Sequence, residues 1–310
     1  MNTIPVNSQT APSQLAVTIG TLRLRNPVMV ASGTFGYGRE YADFVDIGQL
    51  GAIVTKGLTL KPRLGNAPPR LAETPAGVLN SIGLQNVGLE KFLSDKLPYL
   101  RQFPVPVIVN ILGETAAEYA ALAKSLDSHV DALELNVSCP NVAKGGIDLG
   151  ASPKRLQRLV AKVREATRLP LIVKLTPNVS DIVRLGKAAQ EGGADALSAI
   201  NTVHGLAVNF KQGQPVAMRG GLSGPAIKPI ALRAVWDLYR GVSIPIIGAG
   251  GITQAQDAWE FLTVGASAIQ VGTANFVQPT TAIDIIRDLQ GMAAAQGSTS
   301  INDWIGLAHR

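Results

Sequence analysis

From Pro27 onward the chain repeats one unit, a short apolar run followed by a segment of helical periodicity, and no other feature limits its fold as strongly. The runs are PVMVAS (27–32), AIVTKG (52–57), VIVNILG (107–113), ALELNVS (132–138), LIVKLT (171–176), ALSAINT (196–202), IPIIGAGG (244–251) and AIQVGT (268–273). Strands covered by helices outside and packed side chains inside lose the alternation of half-exposed strands, so eight near-continuous runs in βα order predict an α/β fold, a (β/α)8 TIM barrel. A doubly wound sheet is the alternative for alternating units. Helical segments are expected at 115–128, 152–167, 180–193, 253–265 and 281–295, several opening on Ser, Thr or Asp, with Gly192 and Gly265 placed to close theirs. LAVTIGTLRLR alternates around Gly20–Thr21 as a hairpin does, and is expected to plug the barrel's N-terminal end. No linker divides the 310 residues, which predicts one domain with a loose tail over 1–14.

With 46% hydrophobic and 16% charged residues, the chain can bury a large single core. Its one cysteine excludes an internal disulfide and also a four-cysteine iron–sulfur cluster built by this chain alone, and no metal site is expected. The formal charge of +6 is scattered and aromatics make up only 5%, a pattern that suits anionic ligands rather than nucleic acid. No apolar stretch reaches membrane-spanning length and no secretory leader opens the chain, so a cytoplasmic protein is expected.

In such a barrel the active site gathers at the C-terminal strand ends. These ends carry Ser32, Lys56 and Gly57, Asn110, Asn136 and Cys139, Lys174, Asn201 and Thr202, Gly250 and Gly251, and Gly272 and Thr273. Asn110, Asn136 and Lys174 sit inside strand patterns, where they are expected either to hydrogen-bond one another in the barrel's polar top layer or to face a ligand. GAGG and VGTA, after the seventh and eighth runs, suit a phosphate group approached by backbone N–H groups, although either could be only a tight turn. Lys174 is open to two readings, a Schiff-base nucleophile or a fixed cation beside developing negative charge. Three long loops, 58–88, 140–153 and 203–229, are expected over this face, and the two asparagines of NSIGLQN (80–86) are candidates to read a flat polar ring. Cys139, in NVSCPN, is either a small buried apolar side chain or a reactive thiol, and no histidine adjoins it in the sequence.

ELNVSCPNVAKGG (134–146), with NSIGLQN, IVKLTPN (172–178), SAINT (198–202), GGLSGPAIKP (220–229), GAGGI and VGTA, resembles the class 1 dihydroorotate dehydrogenases from the hairpin to the eighth strand. The resemblance implies one FMN per chain and oxidation of (S)-dihydroorotate to orotate in pyrimidine biosynthesis. It implies that the flavin phosphate meets Gly250, Gly251, Gly272 and Thr273. The flavin ring would meet Ser32, Lys56, Gly57, Asn110, Asn136, Lys174, Ile200 and Gly224. Substrate contacts implied are Lys56, Asn80, Ser81, Ile82, Gly83, Leu84, Asn136, Asn201 and Thr202, with Cys139 as the base that takes the C5 proton.

The other major class of the family uses serine as base and adds an N-terminal membrane-associating extension, neither of which is read here. VAKGG after CPN is more similar to subclass 1B, which implies a homodimer of this chain joined to a partner subunit carrying FAD and a 2Fe–2S cluster that passes electrons to NAD. Subclass 1A, a homodimer reducing fumarate, and a Schiff-base lyase using Lys174 are the other readings.

Overall fold

The computed structural model describes residues 14–137, 150–211 and 214–310, the side chains of 209–211 and 214–215 excepted. Strands β1 (Val17–Ile19) and β2 (Leu22–Leu24) form an antiparallel hairpin. Next come β3 (Val28–Val30), β4 (Ala52–Val54), β5 (Leu71–Thr74), β6 (Gly77–Asn80), β7 (Val107–Ile111) and β8 (Ala132–Asn136). They are followed by β9 (Leu171–Leu175), β10 (Ala196–Ala199), β11 (Val203–Lys211), β12 (Gln214–Ser223), β13 (Ile246–Ala249) and β14 (Ala268–Val271). The ring β3-β4-β7-β8-β9-β10-β13-β14 closes with parallel pairing throughout, so each of the eight apolar runs supplies one barrel strand. Most of the runs outlast their strands by two or three residues at the C-terminal end, where the chain leaves the ladder to line a cavity.

The helices that cover the ring begin with the short α1 (Gly88–Lys91) and α2 (Leu97–Leu100), which bracket a π-helical turn. Longer ones follow: α3 (Ala116–Leu126), α4 (Pro153–Arg164), α5 (Ile182–Glu191), α6 (Lys228–Gly241), α7 (Ala255–Thr263), the four-residue α8 (Ala274–Val277) and α9 (Thr281–Ala295). Thr115 and Asp181 cap α3 and α5 by accepting from the N–H groups of Glu118 and Arg184, and Gln254 with Asp257 forms a capping box on α7. Gly265 closes α7 at φ +113°, but Gly192 keeps helical angles and its neighbour Gly193 makes the left-handed turn at φ +96°. No described helix is long and apolar enough to cross a membrane.

Val17, Ile19, Leu22 and Leu24 are buried while Thr18 and Arg23 are exposed, so one face of the hairpin packs on the core. Its turn at Gly20 rests on Asp195, the residue before β10, which places the hairpin at the barrel's N-terminal end. Of the expected loose tail only Gln14 is described, and its side chain donates to the carbonyl of Ser298.

Two of the three expected loops contain strands. Residues 58–88 supply β5 and β6, residues 203–229 supply β11 and β12, and the four join in an antiparallel sheet of order β11-β12-β6-β5. Periodicity conceals these strands because few of their side chains reach the core: Leu79, Val203 and Leu222 do, but Leu71, Leu206, Val208 and Val216 are exposed, and glycines at 205, 220 and 221 interrupt the pattern. The third expected loop, 140–153, lies outside the described residues as far as 149.

Candidate active site

A cavity of about 320 Å³ opens at the C-terminal ends of the barrel strands, within the range of small-molecule sites. Val78 and Asn80 of β6 and Gly221 and Ser223 of β12 form part of its wall, so the second sheet roofs the barrel mouth. It brings together Ser32, Lys56, Gly57, Asn110, Asn136, Lys174, Ile200, Gly224, Gly250, Gly251, Gly272 and Thr273. Asn80, Ile82, Gly83, Leu84, Asn201 and Thr202 line it as well. Ser81 does not, because its carbonyl and hydroxyl both accept from Asn66 Nδ2. Asn86 is also absent from the wall: it is spent on Thr59, Leu84 and Gly88 as a loop staple, leaving Asn80 to face the cavity.

Beneath the cavity lies a buried polar network that corrects the expected contacts among Asn110, Asn136 and Lys174. None of these three hydrogen-bonds to another; two of them meet around Glu134, which the sequence reading passed over. Asn110 Nδ2 donates to Glu134 Oε1 at 2.7 Å, while Ser198 Oγ and Gln270 Nε2 donate to Oε2 at 2.8 and 2.7 Å. Lys174 Nζ donates to Gln270 Oε1 at 3.1 Å and stands 3.8 Å from Glu134 Oε1. Asn136 belongs to the rim, where its Oδ1 accepts from Asn201 Nδ2 at 3.0 Å. Lys174 is therefore held as a fixed cation, a poor arrangement for a free amine nucleophile, which favours the electrostatic reading over the Schiff base. Glu134 and Gln270 carried the signal that singled out Asn110, a polar residue within an apolar strand run, and could have been found by it.

Two observations bear on a flavin phosphate and ring. Gly250 and Gly251 adopt φ +130° and +73°, conformations that carry a side chain badly, and a Cβ on Gly251 would come within 2.7 Å of Lys228 Cβ. Among the described residues none accepts from the backbone N–H of Gly251 or Gly272, which leaves donors on both loops for an anion. Deeper in, Asn110 Oδ1 is buried without a partner among the described residues, although Nδ2 of the same amide is tied to Glu134. An orphaned acceptor in a cavity wall needs a ligand donor or a water. Donors on the two loops and an acceptor at depth fit a phosphate with an attached heterocycle.

Lys56 and Arg70 also present two cations to the cavity. Burial pulls the Lys56 ammonium below the usual lysine range, Arg70 pulls it further, and Glu40 partly opposes them. Arg70, Gln270, Ser223 and Phe276 line the site without having been expected there; Arg70 follows Pro68–Pro69 in a stretch with no periodic signal. Ser138 and Cys139 lie outside the described residues. The described ends of that segment are adjacent, since Gly150 packs on the Val137 carbonyl with no room for a side chain, just past the C-terminal end of β8. His204, exposed on β11, donates its N–H to Asn178 Oδ1.

Comparison with known proteins agrees with this geometry. The family model for dihydroorotate dehydrogenase matches residues 14–292. A Pelobacter propionicus protein named dihydroorotate dehydrogenase B (NAD(+)), catalytic subunit, is 53% identical over 296 residues, covering 94% of this chain and 97% of its own. Proteins of the same name are similar from Geotalea daltonii (51% over 300 residues, 96% and 98% covered) and a Thermoanaerobacter species (52% over 295 residues, 94% and 98% covered).

Proposed function

The chain belongs to the dihydroorotate dehydrogenase family, and from that premise we propose that it is the FMN-bearing catalytic subunit of a subclass 1B enzyme. It oxidises (S)-dihydroorotate to orotate and passes the electrons to NAD through a partner that carries FAD and a 2Fe–2S cluster. The observation that carries this reading is the single cavity in which two glycine loops, an orphaned amide oxygen and a wall of lysine and asparagine side chains converge. The partner is inferred from the relatives' designation as catalytic subunits, and the presence of one cysteine means that any four-cysteine cluster must come from another chain. A homodimer of this chain with two such partners, a heterotetramer, is the assembly proposed.

Bound FMN supplies the hydride acceptor. The chain's residues do the rest. Gly250, Gly251, Gly272 and Thr273 hold the phosphate; Ser32, Lys56, Gly57, Asn110, Asn136, Lys174, Ile200 and Gly224 surround the ring. Lys56 pairs with the substrate carboxylate, and Asn80, Asn136, Asn201 and Thr202 complement the ring amides beside the backbone from Ile82 to Leu84. Cys139 takes the proton from C5 as the hydride leaves C6, so that the thiolate becomes a thiol and both electrons of the C6–H bond leave the substrate.

Purification tests the reading directly. The isolated chain should be yellow with one FMN each, bleach on anaerobic addition of dihydroorotate, and reduce NAD only after a flavin–iron–sulfur partner is added. Colourless protein that fails to take up FMN would overturn it, and rapid fumarate reduction without NAD activity would select subclass 1A.

A further inference from the structure

We propose that Glu134 is a positioning residue: its buried carboxylate holds Lys174, Gln270 and Asn110 in the cavity floor and balances the Lys174 charge, so that the flavin responds to a lysine–glutamate pair. The inference rests on the reading of the cavity as an FMN site. Glu134 itself does not line the cavity, whereas Asn110, Lys174 and Gln270 do, so it acts only through them.

The geometry of the network supports this role. Glu134 is fully buried, and a carboxylate withdrawn from water persists only if its lone pairs are taken and its charge is paired. Both oxygens here are acceptors, Oε1 toward Asn110 and Oε2 toward Ser198 and Gln270, an inventory that an ionised carboxylate fills and a carboxylic acid fills poorly. Gln270 is orientated by having to accept from Lys174 and donate to Glu134 at once. The strand register explains the convergence: Asn110 pairs with Glu134 across β7 and β8, and Ser198 pairs with Lys174 across β9 and β10. Five strands therefore contribute to one cluster, and an apolar residue at 134 would leave Lys174 with a single neutral partner.

The test is the two-electron midpoint potential of the flavin in the FMN-loaded chain. Glu134→Gln keeps the volume and removes the negative charge, so the potential should rise by about 30 mV or more, a tenfold change in the oxidation equilibrium. Lys174→Met should lower it, and the double variant should return toward the parent. A Glu134→Gln protein with stoichiometric FMN and an unshifted potential would overturn the proposal. Should Glu134→Gln alone fail to fold, the double variant, which removes both buried charges, decides: a potential equal to that of Lys174→Met alone overturns the proposal. Failure of the unmutated chain to bind FMN would instead strike the parent reading, before any variant is made.

Discussion

The side-chain amide of Asn201 donates to Asn136 Oδ1 across 3.0 Å, joining the end of β8 to the segment after β10 at the cavity wall. Asn201 Oδ1 also accepts from the Thr202 N–H, so the amide is held from both ends and its orientation is fixed before any ligand arrives.

That link makes the two asparagines a unit. Asn201→Ala and Asn136→Ala should each lower kcat/KM for dihydroorotate by ten- to a hundredfold, about 1.4 to 3 kcal/mol. The double variant should lose much less than the product, because contacting residues couple by roughly 0.5 to 3 kcal/mol. Strictly multiplicative losses would mean that they act independently.

The proposed base gives the sharpest kinetic expectation. Cys139→Ala should keep FMN and orotate binding, read by flavin spectra, while losing most turnover at neutral pH. Cys139→Ser should retain weak activity that rises with pH, because a hydroxyl must shed its proton to act and does so less readily than a thiol near 8.5. Unchanged turnover in the alanine variant would remove the residue from the mechanism.

Away from the reacting atoms, Lys228 at the start of α6 bonds Asp257 at 2.5 Å and Glu260 at 2.7 Å on α7, and its Cβ packs against the Gly250–Gly251 turn. Burial opposes the charges of Lys228 and Asp257, but the contacts prevail: the lysine ends above its usual range and the aspartate below its own. The lysine contribution is complete below its unfolded value near 10.4 and is lost as pH rises through the higher folded one. The aspartate contribution is present above about 3.9 and is lost as pH falls through the lower folded value. Lys228→Met should therefore cost about 1 to 3 kcal/mol between roughly pH 5 and 9, with the difference from the parent shrinking at both extremes. Urea melts at pH 3, 7 and 11 would show it, and a cost constant across them would mean that only packing is lost.

The barrel was legible because burying a strand on both faces demands a near-continuous apolar run, and all eight runs kept one around isolated polar residues such as Asn110, Glu134 and Lys174. The roofing sheet was not, since β5, β6, β11 and β12 lie largely over a cavity and give only a few side chains, such as Leu79 and Leu222, to the core, too few to set an apolar period. In the site, strand-end positions such as Lys56 and Asn201 could be read from order along the chain alone. Glu134 and Gln270 carry the same sign as Asn110 and Lys174, a polar side chain inside an apolar run, in the floor of the cavity one layer below the strand ends. Arg70 carries no such sign: only the folding of residues 58–88 back over the barrel brings it beside Lys56, and no local pattern encodes that return.

The Arg70–Lys56 proximity carries a pH signature. Lys56 is proposed to pair with the substrate carboxylate, which it does only while protonated. With its proton affinity reduced by burial, then by Arg70, the alkaline rise in KM for dihydroorotate should begin below the pH at which an ordinary lysine titrates. Arg70→Gln removes a like charge and should move that limb to higher pH. Glu40→Gln removes an opposing charge that favours the protonated form and should move it lower. Because the two substitutions act on the same ammonium from opposite sides, their displacements should have opposite signs whatever either does to the absolute KM. A limb that stays at one pH in all three proteins would assign the alkaline loss to another group and leave the carboxylate without its proposed partner.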